Sequence, residues 1–168
     1  MGDAVSVLII FTPMKLYPQR NYLMPCSWQA ILSGLTSTQT IKKKIMNNIR
    51  ITLGKVIIEA KLLNTPTAQA IFNNLPFASK AQTWGDEVYF ETPVQTELES
   101  DAKDVINAGE IAFWCEGSCI AIGFGPTPVS QGNEIRLAAK TNIWAKALND
   151  VTQLKSVKPG DFIFIEAL

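Results

Sequence analysis

Short apolar segments separated by turn residues recur along most of this chain. Residues 49–53 alternate apolar and polar side chains, which is the pattern of a strand with one buried face. Gly54-Lys55 then reverses the chain into a second apolar segment, so residues 49–62 are predicted to form a β-hairpin. Because the segments are short and closely spaced, they favour a mainly β domain over an alternating β/α sheet.

One helix interrupts this pattern. Residues 64–67 combine a capping residue with a proline suited to a first helical turn, and apolar side chains at helical spacing continue to about Asn74, before Pro76. Residues 97–104 are acidic and are predicted to form a solvent-exposed connection. Further extended elements are predicted over residues 77–83, 87–93, 111–114, 120–124, 134–138, 142–148 and 162–165, with a single helical turn within 151–157. Together these elements predict a closed barrel of about eight strands with one main helix.

A tight turn followed by a strand is predicted over residues 84–90, which carry the most varied side chains of the chain. A glycine–aspartate pair supplies the turn, because glycine tolerates positive φ and aspartate bonds its own backbone. Val88 and Phe90 fall on one face of the strand, whereas Glu87 and Tyr89 fall on the other. The pattern therefore predicts a carboxyl and a phenol beside an apolar face.

The chain has no histidine, which excludes Ser-His-Asp and Cys-His catalysis. Its three cysteines are Cys26, Cys115 and Cys119. The last two flank a predicted hairpin tip, and we interpret them as reduced thiols of a cytoplasmic protein. The sequence offers no set of residues at metal-ligand spacing and no glycine-rich phosphate loop, so neither a metal nor a cofactor is expected.

Residues 1–45 differ from the remainder, since they contain several prolines and no sustained periodicity. We interpret them as an N-terminal extension that is poorly ordered or precedes a natural start at Met46, with a tethering segment as the alternative. Residues 46–168 then form one domain, which carries more acidic than basic residues. No nucleic-acid partner is therefore expected, and the absence of a long apolar run argues against a membrane span. The oligomeric state stays open.

Three motifs follow each other along the predicted domain. They are Thr65-Pro66-Thr67-Ala68 with Leu75-Pro76-Phe77, then Trp84-Gly85-Asp86-Glu87-Val88-Tyr89-Phe90, then Gly125-Pro126-Thr127-Pro128. Together they resemble the cyclophilin-like proteins, a family of small single-domain prokaryotic proteins of which most are uncharacterised. The resemblance covers about residues 47–168 and implies a closed eight-stranded barrel related to that of the cyclophilin prolyl isomerases. True cyclophilins carry a catalytic arginine and a Phe-His-Arg motif, and this chain has no histidine.

We expect a ligand pocket on the barrel near the Trp84 turn, occupied by a small molecule or a proline-containing peptide segment. One alternative is a weak peptidyl-prolyl isomerase, with aromatic pocket walls and Arg136 as the donor to a twisted proline nitrogen. The other is a hydrolase-type enzyme that uses Glu87 as its carboxyl group. No catalytic residue is assigned. The predicted ligand-binding residues are Trp84, Glu87, Tyr89, Phe113, Pro126 and Arg136.

Overall fold

A computed structural model describes residues 48–168. Our expectations for residues 1–45, including a start at Met46, lie outside the described residues. Within them, ten strands, one α-helix and one 3₁₀ helix follow each other along the chain. Both helices of the described residues, with 8 and 6 residues, are too short to span a membrane.

The first two strands form the predicted hairpin. Strand β1 (Asn48–Leu53) pairs antiparallel with β2 (Val56–Leu62). Gly54 in the turn has a φ of 59°, in the left-handed region that favours glycine. Every second residue of β1 is buried, so the alternation seen in the sequence produces one core-facing side.

Helix α1 (Pro66–Asn73) lies where the sequence predicts it. The side-chain hydroxyl of Thr65 accepts a hydrogen bond from the N–H of Ala68 at 3.1 Å, which satisfies one of the free donors of the first turn. The proline in that turn has no N–H that would need a partner. Ala68 and Ile71 are buried, and both belong to the main core.

The single strand predicted over residues 77–83 is divided into two. Strand β3 (Phe77–Lys80) and the two-residue β4 (Gln82–Thr83) are separated by Ala81, whose N–H and C=O bond to the backbone of the turn before the last strand. Strand β4 pairs with β5 (Glu87–Glu91), whereas β3 pairs with the last strand of the chain. The division thus transfers the chain from one edge of the sheet to the other.

The segment predicted as a solvent-exposed acidic connection contributes more structure than expected. Lys103–Ile106 is a strand, β6. The carboxylate of Glu99 accepts hydrogen bonds from the N–H and the hydroxyl of Thr67, at 2.9 Å and 2.6 Å, so it supplies the negative charge that favours the start of α1. The prediction was wrong for Glu99 and for residues 103–104, because their partners lie far away in the sequence.

A second hairpin follows, formed by β7 (Glu110–Trp114) and β8 (Cys119–Gly123). Its reversal lies at the predicted position, with Ser118 in the left-handed region at a φ of 50°. Cys115 and Cys119 are both free thiols. All five residues of β8 are buried, because a second layer covers the face of this strand that does not point into the barrel.

Strand β9 (Ile135–Ala147) is a continuous strand of 13 residues where the sequence predicted two separate elements. Its register against β7 shifts by one residue at Trp144, whose fully buried indole donates a hydrogen bond to the carbonyl of Ala112 at 3.3 Å. A 3₁₀ helix (Val151–Ser156) and β10 (Phe162–Ala167) complete the chain.

The strands form one sheet in the order β3-β10-β1-β2-β9-β7-β8-β5-β4, and β6 pairs with β9 beside it. The two end strands, β3 and β4, are consecutive in the sequence, so the sheet curls into a nearly closed barrel. This confirms the mainly β, cyclophilin-like barrel that the sequence predicts. The ten strands differ from the predicted elements in three places: the division at Ala81 and strand β6 each add one, whereas one continuous strand, β9, replaces two.

The main core fills the barrel with aliphatic and aromatic side chains. Its largest fully buried members are Trp144, Phe90, Phe113, Ile49, Ile51, Leu53, Ile58, Ile71, Ile111, Ile120, Ile122 and Leu154. A second, smaller apolar cluster lies on the outer face of β7 and β8, beneath β6 and the first half of β9. It consists of Ile106, Ala112, Ala121, Ile135 and Leu137, with Tyr89 and Ile143 packed against it.

A buried polar network joins α1 to the sheet through Asn142, which has no solvent exposure. The Asn142 amide donates to the hydroxyl of Thr67 at 2.8 Å and to the carbonyl of Glu97 at 2.9 Å. Its oxygen accepts from the N–H of Glu99 at 2.8 Å. One side chain therefore connects β9, the start of the helix and the acidic segment.

We expect Asn142→Ala to lower the free energy of unfolding by about 3 kcal/mol, because it leaves several buried polar groups without partners. Urea denaturation measures this. The matched change at an exposed position, Asn133→Ala, should alter the same quantity by no more than about 0.5 kcal/mol. Equal losses in the two variants would contradict a structural role for the network.

Candidate functional site

The turn before β5 is held by the segment that follows β8. The N–H of Trp84 donates to the carbonyl of Glu87 at 3.0 Å, which closes the turn. The N–H of Asp86 donates to the carbonyl of Pro126 at 3.1 Å, and the N–H of Phe124 donates to the carbonyl of Asp86 at 2.8 Å. Two of the motifs that carry the family resemblance are therefore in direct contact.

Glycines permit this contact. Gly85 has a φ of 61°, and a Cβ atom on it would lie 2.9 Å from both Thr127 Cα and Pro128 Cδ. A Cβ atom on Gly125 would overlap the carboxylate of Asp86. The two segments can approach this closely only because neither glycine carries a side chain.

Strand β5 presents its two faces to different surroundings. Val88 and Phe90 are buried in the main core, as the alternation predicts. Glu87 and Tyr89 lie on the opposite face, where their partners on β8 are Gly123 and Ala121. These partners are small, so space remains above β8 on the outer side of the barrel.

This space is a pocket on the flank of the barrel, with a volume of about 220 Å³. We call it the flank pocket. It is bounded by the Trp84 turn, by β5, β7 and β8, and by the middle of β9. Its lining residues are Trp84, Glu87, Tyr89, Trp114, Cys119, Ala121, Leu137, Ala138, Ala139 and Thr141.

Three aromatic rings, those of Trp84, Tyr89 and Trp114, line the flank pocket. Trp114 is 37% exposed, and a Cβ atom on Gly117 would overlap its ring, so the indole lies directly over the hairpin backbone. The remaining wall is mostly alanine and leucine. The pocket is therefore apolar on nearly all sides.

Glu87 is the exception in this apolar lining. It is only 6% exposed, and its Oε2 atom is buried without a hydrogen-bond partner among the described residues. Burial disfavours the charged form and raises the pKa of Glu87 from 4.5 to about 7. Near neutral pH the carboxyl group is thus present in both protonation states, and either state has unused hydrogen-bonding capacity.

The thiol of Cys119 also lines the flank pocket, and it donates to the carbonyl of Gly117 at 3.1 Å. Burial, together with the charge of Glu91, raises the pKa of Cys119 above its usual value. The thiol therefore stays protonated near neutral pH and is not a nucleophile there.

The structure brings together three of the six predicted ligand-binding residues, Trp84, Glu87 and Tyr89. Phe113 has no solvent exposure and belongs to the main core, because it faces the barrel interior with Ile120 opposite it on β8. Pro126 is exposed and contributes its backbone carbonyl to the Trp84 turn. Neither residue lines the flank pocket.

Arg136 does not line the flank pocket either. Its guanidinium donates to both carboxylate oxygens of Glu134, at 2.6 Å and 3.3 Å, and forms a second ion pair with Asp104. The hydrogen bond from Arg136 lowers the pKa of Glu134. The hydroxyl of Thr127 donates to the carbonyl of Arg136, so the backbone there is held as well. The arginine is thus committed to neighbouring carboxylates.

The residues missed in the sequence come mainly from β9, which supplies Leu137, Ala138, Ala139 and Thr141. Their residue types do not indicate a binding site in the sequence, and their place in the pocket depends on the pairing of β6 with β9. Ala121 could have been found, since it lies on the same face of the sheet as Tyr89. Among residues 48–168, no group of three or more His, Cys, Asp or Glu side chains is placed to hold a metal ion.

A sequence profile of the family described as cyclophilin-like matches residues 47–166. The chain belongs to the cyclophilin-like family. It is also similar to a hypothetical protein of Archaeoglobus fulgidus whose solution structure is known, with 35% sequence identity and a TM-score of 0.65. That similarity covers 74% of this chain and 96% of the archaeal one. The chain matches none of the curated proteins.

The glycine contact leads to a test at two glycines. We expect Gly85→Ala to cost about 2 kcal/mol more in unfolding free energy than Gly132→Ala. Both glycines have positive φ, 61° and 68°, but only at Gly85 would the new methyl group meet other atoms within 4 Å. Urea denaturation measures the unfolding free energy of both variants, and the difference between them is the cost of the steric overlap at Gly85. Similar losses would show that the close approach of the two segments does not matter.

The raised pKa of Glu87 predicts a specific dependence of stability on pH. The folded chain holds this proton more tightly than the unfolded chain, so the contribution is fully present below pH 4.5 and is lost as the pH rises through about 7. We expect wild type to lose up to about 3 kcal/mol more than Glu87→Gln over this range, measured by denaturation at a series of pH values. Glu91→Gln, an exposed change on the same strand, should behave as wild type does.

Proposed function

We propose that this cyclophilin-like domain binds a small, largely apolar molecule, or one side chain of a peptide segment, in the flank pocket. The observation that carries the proposal is the buried oxygen of Glu87 that has no hydrogen-bond partner among the described residues. A polar group buried without a partner costs free energy, and a ligand that supplies the missing hydrogen bond recovers it. Glu87 is then the polar anchor of an otherwise apolar site.

The size of the flank pocket limits what it can hold. Pockets for drug-sized ligands measure roughly 300–1,000 Å³, and the flank pocket measures about 220 Å³. A ligand, or the inserted part of one, should therefore be about as large as an amino-acid side chain. Both a small metabolite and a protruding peptide side chain satisfy this limit.

The isomerase alternative has less support. Stabilising the twisted prolyl bond requires a donor near the proline nitrogen. Arg136 was the expected donor, and its guanidinium is ion-paired with Glu134 and Asp104 outside the flank pocket. Among residues 48–168, no lysine or arginine lines the pocket.

One feature favours the hydrolase alternative: the pKa of Glu87, about 7, suits a general acid or base. Among the described residues, however, Glu87 is the single carboxyl group that lines the flank pocket. The neighbouring Asp86 lies against Gly125 and cannot serve as a second acid in the pocket. A binding role needs neither a second acid nor a nucleophile, so it accounts for the site with fewer requirements.

We place this function in the cytoplasm. Cys115 and Cys119 are free thiols, and Cys119 faces the flank pocket. Reduced thiols persist in the reducing cytoplasm, whereas oxidising compartments favour disulfides.

A panel of neutral, cationic and anionic fragments, screened by protein NMR with the full chain, tests the binding proposal. We expect fragments to shift the resonances of flank-pocket residues and to lose binding in Ala139→Leu, which fills the pocket from its half-buried edge. The matched control is Ala167→Leu, at an exposed strand position outside the pocket, and it should bind as wild type does.

Ala121→Leu, which fills the pocket from its floor, provides a second blocking variant. Its fold is checked separately by its NMR spectrum. The proposal fails if no fragment binds at the flank pocket, or if fragments bind folded Ala139→Leu and Ala121→Leu as tightly as wild type.

A further inference from the structure

We propose that the flank pocket recognises an alkylammonium group, with the carboxylate of Glu87 bound to the charged nitrogen and the rings of Trp84, Tyr89 and Trp114 around the ammonium end of the ligand. This inference rests on the proposed function and assigns its ligand class. Four observations support it: the charges that face the pocket, the aromatic lining, the unpartnered carboxyl group and the available volume.

The charges facing the pocket favour a cationic ligand over an anionic one. The ionisable lining groups are Glu87 and Tyr89 of β5 and Cys119 of β8, and the turn, β7 and β9 contribute none. Glu91, on the same face of β5, adds a further negative charge that acts on the Cys119 thiol. Lys140 of β9 is exposed and does not line the pocket. Within the part of the chain that the structure describes, no lining group would neutralise an anion, whereas Glu87 would neutralise a cation.

The aromatic lining distinguishes an ammonium group from an uncharged one. The face of an aromatic ring carries negative partial charge and attracts cations, most strongly for tryptophan. Three of the ten lining residues are aromatic, and two of those are tryptophans. Aliphatic walls would serve a neutral apolar ligand equally well, so this composition favours a cation.

The unpartnered oxygen of Glu87 requires a donor in the bound state. An ammonium group has three donors and no acceptor, so it satisfies a carboxylate without leaving an acceptor of its own buried. The alternative is a ligand carbonyl that accepts a hydrogen bond from the O–H of the neutral carboxyl group. The two cases have opposite pH dependences, because the first requires ionised Glu87 and the second requires protonated Glu87.

The volume limits the part of the ligand that enters the pocket. Pockets for drug-sized ligands measure roughly 300–1,000 Å³, and the flank pocket, at about 220 Å³, suits a shorter chain. A butyl or pentyl chain with a terminal ammonium fits this limit, and so does the side chain of a lysine. The shared chemistry is a straight alkyl chain that ends in a protonated primary amine.

The experiment compares n-butylammonium with n-butanol and butyrate, three probes that differ in charge at the same chain length. Binding to the full chain is followed by NMR shifts of the flank-pocket residues. We expect n-butylammonium to bind at least about tenfold more tightly than n-butanol at pH 8, and butyrate not to bind. Between pH 6 and pH 8 the dissociation constant for n-butylammonium should fall about tenfold, as Glu87 ionises and the amine stays protonated.

Two variants locate the effect. Glu87→Gln should weaken n-butylammonium binding at pH 8 at least about tenfold. Binding of n-butanol should persist in this variant, which shows that the pocket remains formed. Glu91→Gln, the exposed glutamate on the same face, should keep the preference for the cation. Nα-acetyl-lysine N-methylamide separates the sources: binding as tight as n-butylammonium assigns a lysine side chain of a polypeptide, and loss of binding assigns a free amine.

Three results would overturn the inference: equal binding of n-butanol and n-butylammonium, an affinity for n-butylammonium that falls as the pH rises, or unchanged binding in Glu87→Gln. In each case, binding of n-butanol or of other fragments at the flank pocket would leave the proposed function in place. If no probe or fragment shifts flank-pocket resonances, the proposed function fails together with the inference.

Discussion

The contact between the Trp84 turn and the segment after β8 determines the geometry of the whole site. Two backbone hydrogen bonds and two glycines hold the segments together, so the start of β5 is positioned before any side chain of the site is considered. Because side chains alternate along a strand, the position of the turn decides that Glu87 faces outward and Val88 inward. The order of the sheet then brings β7 and β8 beside β5 and leaves only the middle of β9 to close the pocket.

Local signals accounted for most of the fold. The hairpin of β1 and β2, helix α1, the Trp84 turn and the reversal between β7 and β8 each depend on residues that are close in the sequence. Glycine, proline and capping residues identify such elements reliably. The errors share a different physical origin: β6, the division at Ala81 and the continuous β9 all depend on hydrogen bonds to partners far along the chain. No local pattern contains that information.

The candidate site shows the same difference between residues placed by local sequence and residues placed by distant contacts. Trp84, Glu87 and Tyr89 belong to one short stretch whose alternation could be determined, and the structure brings them together. The sequence predicts Phe113 and Arg136 for their chemistry. The barrel core buries the phenylalanine, and the arginine pairs with Asp104, far along the chain, as well as with the nearby Glu134. The buried state of Glu87 also depends on its surroundings, since the sequence around it is that of an ordinary amphipathic strand.

The two faces of β5 differ in what a substitution on them would change. Val88 and Phe90 pack in the main core of the barrel, whereas Glu87 and Tyr89 line the flank pocket. Replacing Glu87 or Tyr89 therefore changes the chemistry of the pocket without disturbing the main core. A point substitution on the outer side of the strand can therefore alter the flank pocket alone. A change in length affects both sides, because one inserted residue would turn the carboxyl group into the barrel and a valine out into the flank pocket. The strand thus tolerates a change of residue type at these two positions but not a change in its number of residues.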